Sequence, residues 1–178
     1  MISAAIIYAV IAMFGFGIAN TVMKHVVTHF GPVRAIVLRN VPNVLALGVA
    51  LAITAPHIVL TSQFGWAILI AIAGYFPFLF FVHGLEKGKV GVIVPVAAGR
   101  IVVSALFSFM FLGEAFTGFK IAAVVVIFIG IVLASVNFKE LKQSDLWSWQ
   151  SGVPLALIAA VTWGVVYPLF SFPSAMFG

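Results

Sequence analysis

Cysteine is absent from the chain, and acidic residues number only four against nine Lys and Arg. Without a thiol there is no disulfide, no thiolate metal site and no cysteine nucleophile, and the redox compartment stays open. Charged residues of both signs make up 7% of the 178 residues, far below the quarter or so of a soluble domain. The sequence contains no GxxxxGK(S/T) loop for nucleotide phosphates and no HExxH or other ligand-spaced cluster, so neither nucleotide hydrolysis through that loop nor a metal is expected. No Asp or Glu lies deep in an apolar run, although a proton-driven exporter generally uses such a carboxylate. Nor do a nucleophile, a base and an acid gather at one depth, so an enzyme is not expected.

What remains is apolar. Hydrophobic residues make up 64% of the chain and its mean hydropathy is +1.28, which defines an integral membrane protein in contact with the lipid bilayer. The net charge of +5 does not point to nucleic acid, because the basic residues sit mostly at the ends of apolar segments, as topology signals do. Six such segments, 2–23, 34–53, 64–83, 90–112, 119–137 and 153–172, are each close to the ~20 residues a spanning helix needs, and none alternates like a barrel strand. The fold class is therefore an all-α bundle of six transmembrane helices. The first segment lacks a basic leader and a small-residue cleavage site, so it is read as a retained helix. Lys24, Arg34, Lys87, Lys89, Lys139 and Lys142 follow segments one, three and five, whereas the other connections hold only Lys120; this bias places the odd loops in the cytoplasm and the N-terminus outside.

Laying Ala9–Gly31 over Ala156–Gly178 aligns two similar segments without a gap, pairing Ala12 with Ala159, Gly17 with Gly164 and Phe16 with Trp163. Five segments would then form one unit. A unit with an odd number of spans, followed by a copy, places that copy upside down, as in many secondary transporters with a midplane substrate site.

The candidate site residues are polar groups in these spans. Arg100 lies near the centre of Val90–Leu112, roughly 15 Å from either end by helical rise and beyond the reach of snorkelling. A charge there costs about 3 kcal/mol on insertion scales, so such residues usually face a bundle interior or a wet cavity. Ser104 and Ser108 continue its stripe at one and two turns, a cationic, hydroxyl-lined strip suited to an anionic group. Asn20 and Lys24 are one turn apart in the first segment, where Lys24 either neutralises an anion or snorkels at the interface. Arg39 and Asn43 share a face of the second, with Asn40 beside them and Pro42 disturbing the ladder between. Tyr75 and Pro77 make a second candidate break, and His83, Glu86 and Lys87 cluster at the end of that segment. Trp163 and Tyr167 share a face of the last segment, as substrate contacts or helix packing; Glu114 is read as shaping a turn.

The combination of FGFGIANTVMK, a GP turn, VLRN, GLEKGKVGVIVPV leading to FLGE, IFIGIVLAS and a restart at GVPLALIAAVTWG resembles a drug/metabolite transporter of the EamA type. The resemblance implies a first five-helix unit over 1–137, a polar connection over 138–152, and the first helix of an inverted second unit over 153–178. It implies ten helices in two units with both ends cytoplasmic, opposite to the charge bias. It also implies a secondary permease, without cofactor, that moves a small polar metabolite across the plasma membrane by alternating access. An anionic or zwitterionic substrate is expected from Arg100, Lys24 and Arg39, with Asn20, Asn43, Tyr75 and Ser104 as polar lining. Against the ten-helix pattern this chain reads as truncated, so a second copy or a missing repeat is the expected partner. The alternatives are a non-transporting membrane subunit and a dimeric small multidrug exporter, which would need a carboxylate that the first segment lacks.

Overall fold

A computed structural model describes residues 4–54, 63–115, 117–135 and 148–171, and among them every regular element is helical. The elements are α1 (Ala4–Phe30), α2 (Pro32–Thr54), α3 (Gln63–Lys87), α4 (Val90–Ala98), α5 (Arg100–Phe111), α6 (Gly118–Ser135) and α7 (Val153–Leu169), with a short 3-10 turn at Trp149–Ser151. Helix is what hydrocarbon demands, since each backbone N–H and C=O must be satisfied within its own segment. Helices α4 and α5 together form one span, so the six expected spans are present. Four are long and apolar enough to cross a bilayer, whereas α6 and α7 are shorter apolar helices.

Three expectations change. The stretch after the first segment, read as a connection from Lys24 onward, is helix as far as Phe30; the chain turns only at Gly31, whose φ of 78° stops the helix before Pro32 starts the next. The prolines expected to break α2 and α3 lie inside continuous helices. The break falls instead at Gly99, in the span read as unbroken, where the Gly99 N–H donates to the Val96 carbonyl and Val102 N–H donates to the Gly99 carbonyl, both at 3.0 Å. These are three-residue steps, and the Gly99 carbonyl also keeps the four-residue bond from Val103 N–H at 3.3 Å, so the turn is tightened and the span stays helical. The connections at 55–62 and 138–147, and the repeat positions 172–178, lie outside the described residues.

Met23, Val27, Ala35, Ile36, Phe81, Val82, Leu85, Ile93, Ala97, Ala156 and Ala159 form the buried core. By helical rise these positions lie within about 15 Å of the face that carries the Gly31, Gly88 and Gly152 turns. That end is packed shut. Here α7 meets α3 at very close range: the Cβ that Gly88 lacks would overlap the Ser151 carbonyl, and Gly152, at φ 77°, faces the Gly84 carbonyl equally closely. Gly84 and Gly88 thus act as a small-residue pair that lets two backbones approach. Helix α7 packs most extensively on α3 and α5, burying Ala156, Ala159, Ala160, Trp163 and Gly164. Helices α1 and α2 pack more sparsely at the edge, and most of their apolar side chains face outward.

Candidate functional site

Just past the packed end, at roughly mid-span by helical rise, α2, α3, α5 and α7 bring two arginines to one group of aromatic rings. The Arg39 guanidinium lies 4.2 Å from the Phe78 ring centroid and within electrostatic reach of the Tyr75 and Tyr167 hydroxyls. Arg100, from the first turn of α5, sits 5.3 Å from the Trp163 ring and 5.8 Å from that of Tyr167. The Trp163 and Tyr167 rings stack at 6.1 Å, and Trp163 also packs on Phe81 at 5.6 Å. Its indole N–H donates to the Gly74 carbonyl at 3.2 Å. That bond ties the ring group to α3.

Cation–π contact engages the faces of the two guanidiniums and leaves their N–H edges available. Arg100 spends one of them, donating to the Ala97 carbonyl at 3.3 Å. Neither arginine pairs with a carboxylate among the described residues. Two planar forks without a counter-ion, at this depth, suit a carboxylate, phosphate or similar oxyanion. Asn40 donates to the Tyr75 hydroxyl at 3.1 Å, orienting it beside Arg39.

A cleft of about 420 Å³ leads away from Arg100 between α5, α6 and Tyr167, lined by Ser104 and Ser108 and bounded at its outer end by Glu114 and Lys120. Glu114 and Lys120 lie 3.7 Å apart and are both exposed. Glu114 also helps close the α5–α6 turn, its N–H donating to the Ser108 carbonyl at 3.3 Å beside the left-handed Gly113.

The other candidates go elsewhere. Lys24 reaches across to the C-terminus of α3, where its ammonium donates to the carbonyls of Leu85 (2.6 Å), Gly88 (2.9 Å) and Glu86 (3.1 Å). All three of its N–H bonds are thereby used on a helix end that attracts cations. Asn43 lies on the exposed side of α2, one turn beyond Arg39; neither Asn20 nor Asn43 hydrogen-bonds to another described residue. The His83 ring N–H donates to the Leu79 carbonyl of its own helix at 2.8 Å. Sequence reasoning named Asn40 beside Arg39 without giving it a place in the lining, and left Phe78 out. Asn40 was visible beside Arg39, whereas nothing local marks Phe78 among the many phenylalanines.

A bundle of apolar helices, four of them long enough to cross a bilayer, with arginines within its spans and no partnering carboxylate among the described residues, defines a polytopic membrane protein. The profile of the EamA-like transporter family matches residues 3–136, three quarters of the sequence, and the chain belongs to that family. No curated protein and no solved structure matches it.

Proposed function

We infer that the protein takes part in secondary transport of a small polar metabolite, anionic or zwitterionic, across the plasma membrane by alternating access. The observation that carries this reading is a pair of arginines within the spans, Arg39 over Phe78 and Arg100 over Trp163 and Tyr167, with no carboxylate partner among the described residues. Uncompensated charge at this depth is costly, and an entering anion both relieves it and gains bidentate, charge-assisted hydrogen bonds. In this reading Tyr75 and Ser104 supply polar contacts, while Lys24 serves the closed end of the bundle. Asn20 and Asn43 would join the site only from a second five-helix unit's side, supplied by a longer chain or by a second copy.

The test is ligand binding to the purified protein in nanodiscs, using short carboxylates, phosphate monoesters, zwitterionic amino acids and organic cations. An anionic or zwitterionic ligand should raise the thermal midpoint, and Arg100→Gln should weaken its binding about 10- to 100-fold, as expected when a charged hydrogen-bond donor is lost. Preferential binding of cations, or unchanged anion affinity in a folded Arg100→Gln variant, would reject the reading.

A further inference from the structure

Hydroxyls inside membrane helices usually bond back to a carbonyl of their own helix, and this chain shows the habit four times. Thr21 donates to Gly17, Thr28 to Lys24, Thr54 to Ala50 and Thr162 to Ile158, at 2.6 to 3.0 Å. Ser104 and Ser108 depart from it. Both are half-buried, both line the cleft, and the hydroxyl of neither hydrogen-bonds to any described residue. In dry hydrocarbon two such hydroxyls and the free edge of Arg100 would go unsatisfied, which is costly. They also form a line, since positions 100, 104 and 108 rise about 12 Å along one face of α5. That line runs from the arginine–aromatic group towards the turn that carries Glu114 and Lys120, on the face opposite the packed Gly31, Gly88 and Gly152 turns.

We propose that this cleft is an aqueous half-channel that favours anions and connects the α5–α6 face to Arg100. Water and the polar edge of a passing anion satisfy the two serines in turn, while Phe119, Ala123 and Val124 form the apolar opposite wall. Selectivity follows from charge. The Glu114–Lys120 pair at the mouth is neutral overall, so Arg100 sets the sign of the potential inside, in a low-dielectric surround that screens it poorly. The half-channel shares Arg100 with the substrate site proposed above, but its accessibility can be measured without any transported substrate, so either can fail alone.

The absence of cysteine makes the native chain a clean background for single thiols. Ser104→Cys, Ser108→Cys and, on the facing wall, Ala123→Cys would be placed in turn in the full chain in lipid vesicles permeable to both sides. Each would be treated with small anionic and cationic methanethiosulfonates. Only a hydrated thiol ionises and reacts, so Val126→Cys, on an exposed side of α6, serves as the lipid-facing control. Each rate is taken relative to that reagent's rate with a free thiol in solution. The expected result is modification at 104, 108 and 123 but not 126, with the anionic reagent favoured about tenfold at 104 on that scale and the preference lost in an added Arg100→Gln. No modification at any of the three in folded protein, or a preference for the cationic reagent at 104 on that scale, overturns the proposal. Three probes on two helices guard against one variant failing to fold.

Discussion

Helices α1 and α7 carry the same pattern in the same register, yet they occupy opposite situations. Gly164 lies so close to α5 that an added Cβ would overlap the Val103 side chain, whereas its counterpart Gly17 has open space around it. Trp163 is 8% exposed and its counterpart Phe16 is 65% exposed; Ala159 is wholly buried and Ala12 is not. A face of small residues beside an aromatic ring is thus only a capacity for close packing. It becomes stability where another helix presents the matching ridge, as α3 and α5 do for α7. If α1 and α7 open two inverted units, the bare face of α1 is where a third and fourth helix of a second unit would sit.

The comparison can be broken by substitution. Trp163→Ala should be the most damaging change, removing a ring that touches Phe81 and Tyr167 and bonds the Gly74 carbonyl; a loss of ~3–5 kcal/mol is expected in reversible unfolding by denaturing detergent. Phe16→Ala should stay within about 0.5 kcal/mol of the parent. Equal losses would show that α1 is packed in the membrane. Gly164→Val should cost about 1–3 kcal/mol by overpacking against Val103, while Gly17→Val should be nearly silent in the same measurement. The smallest contrast concerns the next matched pair, Lys24 and Ser171. Lys24→Met removes three bonds to the α3 terminus and should cost ~1–2 kcal/mol, whereas Ser171→Ala, at an exposed side chain that donates to the nearby Pro168 carbonyl, should cost less in the same measurement. Should a second unit cover α1 in the assembled protein, the Phe16 and Gly17 variants would become costly only there, which a comparison of oligomeric and monomeric fractions would reveal.

The spans were legible because hydrocarbon thickness sets the length of an apolar run, and all six segments coincide with helix over most of their length. Their ends were less so. Lys24, His25 and His29 read as a connection, because a local reading cannot know that the lysine finds three carbonyls at the end of a helix some sixty residues away. Prolines looked like breaks, but a proline costs only one ladder bond, and α2 and α3 run through Pro42 and Pro77 as continuous helices. In the site, the depth of Arg100 and its alignment with Ser104 and Ser108 were visible from spacing alone. Its contact with Trp163 and Tyr167, and that of Arg39 with Phe78, were not, since they depend on how α2, α5 and α7 are placed around α3. Asn43 shares a helix face with Arg39, and both are exposed, but only Arg39 reaches a ring of α3.

The interruption at Gly99 divides the fourth span into two pieces with different allegiances. Ile93 and Ala97 of α4 belong to the packed end, whereas Arg100, Ser104 and Ser108 of α5 belong to the open cleft. An unbroken rod would have to carry both together. The tightened turn hands the chain from one set of partners to the other: the lower piece stays with the packed floor, while the upper one lies along α7, where Gly164 admits Val103 and Trp163 receives Arg100. One span thus serves as wall at one end and as lining at the other.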